Sequence, residues 1–373
     1  KGILESKSKR VEIIKEELLE VKEKYGEERR TEIIKDFTTL SIEDMIAEEE
    51  MVLTITHNGY IKRTNLNTYR SQRRGGRGVQ GATSRDEDFV EHLFVANTHS
   101  YILFFTDKGK CYWVKVYDIP EGGRAAKGRA IVNLIGCEPD EKVSAFISVK
   151  EFNDDHFVVM ATEKGIVKKT KLSAYSNPRK KGIYAVEIRD GDRLIEARVS
   201  TGDNDILLGT RNGKSIRFSE EQIRPSGRKT MGVKGITLSS KDDRLVGMLL
   251  IKREGTTVLV ATEKGFGKRT EISQYRAQKR GGKGVLTMKT TDKVGKMVTI
   301  KEVVDKDDLM IITNQGVLIR QPVAQIRAIG RATQGVKLIK LGEGTLVSSI
   351  TRIMSEEEDG DENNSAEPAG DSE

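Results

Sequence analysis

Three arginines set among three glycines, Gln72-Arg73-Arg74-Gly75-Gly76-Arg77-Gly78, make up the segment of this sequence best suited to hold a polyanion. Glycine lets a backbone approach a phosphate closely with its amides exposed, and a guanidinium grips phosphate oxygens through a fork of donors. Such contacts fix position along a nucleic acid without reading its bases. The pattern returns as Gln278-Lys279-Arg280-Gly281-Gly282-Lys283-Gly284. Parts of it persist in Pro178-Arg179-Lys180-Lys181-Gly182, in Gly227-Arg228-Lys229-Thr230-Met231-Gly232 and in Gly330-Arg331-Ala332-Thr333-Gln334-Gly335. The chemistry these residues offer is the binding of a phosphate backbone.

Each of these loops ends on one member of a regular series, Gly78, Gly128, Gly182, Gly232, Gly284 and Gly335. A first series, Gly59, Gly109, Gly165, Gly213, Gly265 and Gly316, precedes it by 19 residues in five cases and 17 in one. The first series sits in the turns THNGYIKR, TDKGKCYW, TEKGIVKK, TRNGKSIR, TEKGFGKR and TNQGVLIR, at intervals of 50, 56, 48, 52 and 51 residues. An apolar run precedes each of these glycines and a mixed basic and apolar run follows, which predicts a hairpin whose glycine takes positive φ. Two glycine ladders in register define six units, and repeats of this length indicate a propeller-like or solenoid array. A closed disc leaves fewer exposed sheet edges than an open stack. Closure would put all six loops on one perimeter, a basic rim fitted to bending DNA along its edge. The spacing leaves open whether each hairpin stays within its blade or strands are exchanged between neighbours.

Charge is segregated to match. The net charge is +7 over 373 residues, but residues 51–354 alone hold 54 basic and 33 acidic residues, a body of +21. A body this basic attracts a polyanion, because each neutralised phosphate releases counterions; a solvated basic surface is the alternative. Residues 1–50 are acidic on balance, and 355–373 carry nine acidic residues and no basic one, the composition of a disordered tail. That tail either solubilises the chain end or folds back on the rim as a polyanion mimic. Val11, Ile14, Leu18, Val21 and Tyr25 make one apolar seam on a helix ended by Gly26, followed by a linker to residue 50.

No apolar run reaches the roughly 18 residues of a membrane helix, and no signal peptide is recognisable, so a cytoplasmic protein is expected. Cys111 and Cys137 are expected to be core residues. His57, His92, His99 and His156 lack metal-ligand spacing, and Tyr112 and Trp113 alternate as in a packed strand. Lys62, Arg63, Lys168, Lys169, Lys268 and Arg269, just after the hairpin glycines, could touch DNA or line solvated strand edges.

The heptad at 72–78 resembles the gyrase A box, with Arg77 where the motif usually carries lysine, and the six-unit array resembles the C-terminal domain of gyrase A in the type IIA topoisomerases. The stretch IIKEELLEVKEKYGEERRTEI is similar to the segment leading out of that family's breakage-reunion domain. The resemblance implies an all-β, six-bladed β-pinwheel over 51–354, preceded by a helical segment and linker over 1–50 and followed by the tail over 355–373. It implies a domain that wraps double-stranded DNA chirally and so directs negative supercoiling. In that holoenzyme a gyrase A homodimer joins gyrase B as A2B2, with ATP and Mg2+ bound elsewhere and no cofactor here. Cleavage in this family uses a tyrosine in an Arg-Tyr-Thr context, which none of the tyrosines here has. The closest rival is the corresponding domain of topoisomerase IV, whose array is related but degenerate. A protein-binding propeller scaffold is a further rival, although no kelch or WD signature is found.

Overall fold

The computed structural model describes residues 3, 6–27, 43–56, 58–65, 90–123, 126–138, 140–177, 179, 181–251, 255–315, 318–342 and 344–353. The heptad at 72–78, Lys180, Gly316 and the acidic end at 355–373 lie outside these residues. The chain forms two compact units, Lys1–Met45 and Ile46–Glu373.

The first unit contains the helix Lys7–Tyr25, capped by Ser6, whose hydroxyl accepts from the Lys9 amide at 3.5 Å. Lys22 and Lys24 occupy the last turn, where a cation suits the helix dipole. Gly26 closes the helix through its amide on Lys22 O at 2.8 Å. Its apolar seam is exposed along its length, from Val11 to Tyr25, among the described residues.

In the second unit each repeat begins with a hairpin. The first strands are predominantly apolar; Thr257–Thr262 is buried at every position, as expected of a strand covered on both faces. A threonine ends each of them and organises the turn. The Thr56, Thr106, Thr162 and Thr210 hydroxyls accept from the amide four residues on, at 3.1, 3.2, 3.3 and 3.4 Å. Glycine is required next. At Gly213 φ is +80°, and a Cβ would stand 2.1 Å from Met288 O.

The sheets exchange strands. In the first, the order is Val90–Asn97, Glu50–Thr56, Tyr60–Asn65, Arg129–Ala130, so the fourth strand comes from the second repeat. The two-residue strands Ile183–Tyr184, Val233–Lys234, Val285–Leu286 and Val336–Lys337 likewise join the sheet of the preceding repeat. This settles what spacing left open: the array is a pinwheel. The sixth sheet has three strands among the described residues.

The last strand of each repeat lies at the hub. Val143–Val149, Leu194–Ser200, Leu245–Ile251, Met297–Val303 and Val347–Ile353 neighbour one another in turn, and Val347–Ile353 also lies beside Val90–Asn97. Apolar cores fill the spaces between adjacent sheets. One joins Leu103, Phe105 and Cys111 of the second repeat to Val158, Met160 and Tyr175 of the third. Cys137 is half-buried against the core between the first two repeats. The longest interval, 56 residues, contains a short helix, Ile131–Ile135, after the second repeat's exchanged strand.

Candidate nucleic-acid interface

The loops at 121–128, 178–182, 227–232, 278–284 and 330–335 each run directly into an exchanged strand. That strand is farthest from the hub in its sheet. The loops therefore lie on the perimeter, as the repeat argument predicts. Gly284 shows why the second glycine ladder exists: φ is +69°, and a Cβ would stand 2.4 Å from Ser215 O of the preceding repeat. Only glycine lets the loop dock there without strain.

Each of the last three rim loops accepts a backbone hydrogen bond from the segment that follows the exchanged strand of the repeat before it: Glu187 N donates to Thr230 O at 3.1 Å, Thr237 N to Gly282 O at 2.8 Å and Lys289 N to Thr333 O at 3.0 Å. The rim loops of repeats four to six are thus each tied to the repeat before. Within these loops, the Arg280 guanidinium donates to Gln222 O at 2.9 Å and to Lys234 O at 3.2 Å, while its amide donates to Gln222 Oε1 at 2.9 Å. Arg331 repeats the arrangement, with its amide on Gln274 Oε1 at 3.3 Å and its guanidinium on Leu286 O at 3.1 Å. Each fork keeps further donors for a ligand and is held in place beforehand.

Of the remaining sequence candidates, Arg179, Lys181, Lys229, Lys279 and Lys283 are exposed. Arg228, Gln278, Gly281, Gly282 and Gly284 are half-buried. Gln72, Arg73, Arg74, Gly75, Gly76, Arg77, Gly78 and Lys180 lie outside the described residues. Arg224, Arg276 and Arg327 were not singled out by the loop motif, yet all three are exposed just before a rim loop. They share an offset of 11 residues from their hairpin glycines, as does Arg70 in the first repeat, and that repeat position is the signal that finds them.

The basic residues after the hairpin glycines do neither of the things expected of them. Lys62, Lys168 and Lys268 are 3%, 1% and 0% exposed. Lys62 Nζ donates to Gly123 O at 3.0 Å and Ala126 O at 2.9 Å. Lys168 Nζ donates to Ala185 O at 2.7 Å and to Arg228 O. Lys268 Nζ donates to Gly330 O at 2.7 Å, Thr333 Oγ1 at 3.1 Å and Arg331 O. Burial, with Arg228 beside it, pushes Lys168 down to about 8, and burial with Arg331 does the same to Lys268. Burial also lowers Lys62.

The next position ties blades together. Arg63 Nε donates to Ile119 O at 2.7 Å, Trp113 Nε1 to Tyr175 O at 2.8 Å, and Arg269 Nε to Ile326 O at 2.6 Å, each across to the following repeat. Lys169 instead pairs with the buried Glu220 carboxylate at 2.7 Å. A carbonyl needs a donor when it is buried, and these long side chains supply one while their stems fill space. Trp113 is therefore structural, as is Tyr112, whose hydroxyl donates to Glu141 Oε2 at 2.9 Å. His99 Nε2 lies 2.9 Å from Ile46 O and His156 Nδ1 2.8 Å from Asn153 Oδ1.

A strand-exchanged, six-bladed β-propeller with basic loops on its perimeter is the class of protein these features define. The chain belongs to the family described as DNA gyrase C-terminal domain, beta-propeller, whose match covers residues 50–97, 100–150, 156–201, 204–252, 256–303 and 307–353. It is 47% identical over 380 residues to the DNA gyrase A protein of Clostridium acetobutylicum, covering 98% of this chain and 46% of that protein. It is 45% identical over 361 residues to the DNA gyrase A protein of Staphylococcus aureus (strain COL), covering 96% of this chain and 41% of that protein. The chain thus spans less than half the length of these relatives. Among solved structures, it is similar to the C-terminal domain of DNA topoisomerase IV, with a TM-score of 0.72 and 26% identity over 83% of this chain and 95% of that one. Similarity to a DNA gyrase A C-terminal domain, at 24% identity and a TM-score of 0.65, covers 82% of this chain and all of that one and concerns the fold.

Proposed function

We propose that this domain binds double-stranded DNA and wraps it chirally around its rim, so that a gyrase holoenzyme introduces negative supercoils with ATP. The observation that carries this reading is the recurrence of rim loops at equivalent perimeter positions, whose cations lack carboxylate partners among the described residues. Phosphates would be gripped by Arg179, Lys181, Arg228, Lys229, Lys279, Arg280, Lys283 and Arg331, on a backbone shaped by Gly281, Gly282 and Gly284 and braced at Gln278. The Gln72 to Gly78 heptad and Lys180 complete the set by sequence. Affinity on such a surface comes from counterion release and from DNA deformability rather than base readout.

The holoenzyme would be A2B2, a gyrase A homodimer with gyrase B, with ATP and Mg2+ bound outside this domain and DNA cleaved by a tyrosine outside it, in the bacterial cytoplasm at the nucleoid. The domain itself would use no cofactor. Ligating nicked circles in the presence of the chain should shift the linking number. An unchanged topoisomer distribution at saturating protein rejects wrapping. The similarity to a topoisomerase IV C-terminal domain supports a second reading, in which the enzyme decatenates; a holoenzyme that unlinks circles but never supercoils relaxed DNA would select it.

A further inference from the structure

The residue three places after the hairpin glycine lies beneath the rim loop of the following repeat at Lys62, Tyr112, Lys168, Ile216 and Lys268, and its type alternates. Under 178–182 the Tyr112 ring comes within 2.8 Å of where a Cβ on Gly182 would stand, and under 278–284 Ile216 Cδ1 lies 3.3 Å from that point on Gly282. Under 121–128 the floor is an ammonium on Gly123 O and Ala126 O, under 330–335 one on Gly330 O and Arg331 O, and under 227–232 one shared between the loop's Arg228 O and Ala185 O. The loop sequences follow their floors. Every lysine-floored loop contains the dipeptide Gly-Arg, at 123–124, 227–228 and 330–331, and the loop over Ile216 does not. In two of the three a threonine hydroxyl closes the turn, Thr230 on Gly227 O and Thr333 on Gly330 O, both at 2.9 Å.

We propose that Lys168 and Lys268 are positioning residues for DNA wrapping, each holding carbonyl oxygen of the loop above it turned inward so that the Gly-Arg turn presents its guanidinium outward to phosphate. The proposal rests on the wrapping function above. Buried as they are, these lysines do not themselves reach phosphate, and charge-assisted bonds to carbonyls give them their hold on the loop. Among the described loops, lysine floors under 121–128, 227–232 and 330–335 alternate with Tyr112 under 178–182 and Ile216 under 278–284. The charged groups facing the ammoniums are Arg228 and Glu187 at Lys168 and Arg331 at Lys268. Arginine keeps its charge at any pH a protein meets. The hold should therefore weaken as pH rises through about 8, where Lys168 and Lys268 lose their protons. An unfolded lysine keeps its proton to 10.5, so the same deprotonation adds to folding stability between pH 8 and 10.5 while the loops loosen.

The test uses the whole chain with Lys168→Met and Lys268→Met, singly and together. Without DNA, amide hydrogen exchange should accelerate at 227–232 in the first variant and at 330–335 in the second, with 278–284 unchanged. On linear duplex DNA, the slope of log affinity against log salt should fall by about 1 for each lysine removed, the signature of one lost phosphate contact. The double variant should also lose the wild type's fall in affinity between pH 7 and 9. Unaltered exchange in both loops overturns the proposal whether or not the chain binds DNA. Altered exchange with an unaltered salt slope and pH profile leaves the lysines structural and equally overturns it. Should the wild type bind no DNA at any salt, the functional reading itself fails, and with it the positioning role. Wild-type exchange covers variants that fail to fold: protection at 227–232 and 330–335, corrected for intrinsic rates, must drop relative to 278–284 as pH passes about 8, and constant protection rejects the cage.

Discussion

The hairpin tips and the rim loops are both glycine turns rich in lysine and arginine, yet they treat their cations in opposite ways. At the tips, acids neutralise most of the nearby cations. Lys108 pairs with Asp140 and Arg211 with Glu263 at 3.2 Å, the tip carboxylate of Glu163 takes Arg193 at 2.9 Å, and Lys164 Nζ reaches only a carbonyl, Asp190 O, at 3.0 Å. On the rim, Arg228, Lys229, Lys279, Arg280, Lys283 and Arg331 have no carboxylate partner among the described residues, and the Arg280 and Arg331 forks are braced by carbonyls instead. A carbonyl orients a guanidinium without cancelling its charge. Placement of acids, more than the count of basic residues, marks where a polyanion would run.

The largest effect should come from the rim. Replacing those six rim residues with alanine should weaken duplex DNA binding by about 10³-fold or more at moderate salt and flatten its salt dependence, as loss of several phosphate contacts requires. Alanine at Lys108, Lys164, Arg193 and Arg211 together should leave the salt slope near its original value. Equal losses from the two sets, measured by titration across a salt series, would erase the distinction between tips and rim.

Replacing 72–78 with alanines should abolish supercoiling by a reconstituted holoenzyme while sparing relaxation or decatenation. Retained supercoiling would remove the heptad from the wrap. Gly284→Ala is expected to cost about 1–3 kcal/mol in chemical denaturation, because an ordinary residue is strained at positive φ and its Cβ meets Ser215 O. An unaffected midpoint would mean that the exchanged strand does not hold the rim loop. The smallest change belongs to a tip: Asp140→Asn should leave the denaturation midpoint close to its original value, as expected of a solvent-exposed ion pair, and a clear drop would show that the tip pair holds the hairpin.

Much of this was legible in the amino-acid order. The threonine and glycine of each turn carry local conformation, so the hairpins at Gly59, Gly109, Gly165, Gly213 and Gly265 could be placed without knowing what surrounds them. Strand exchange could not, because Arg129–Ala130 pairs with Tyr60–Asn65 some 70 residues away, through main-chain bonds that any side chain allows. The six basic residues after the hairpin glycines were misjudged for a related reason. A lysine at a strand position reads as solvent-facing until the carbonyls of the next repeat are brought over it, as Gly330 and Arg331 are over Lys268. The exposed Arg224, Arg276 and Arg327 were visible only by comparing offsets between repeats. The acidic end at 355–373 lies outside the described residues; deleting it should tighten DNA binding if it screens the rim.

The most direct measurement is ligation of nicked plasmid circles with increasing amounts of this chain, followed by separation of topoisomers after the protein is removed. Wrapping on the rim predicts a linking-number shift of one sign that grows with protein and disappears in the six-residue rim variant. A distribution centred where it stands without protein, under conditions where the chain is bound to the circles, would contradict the account.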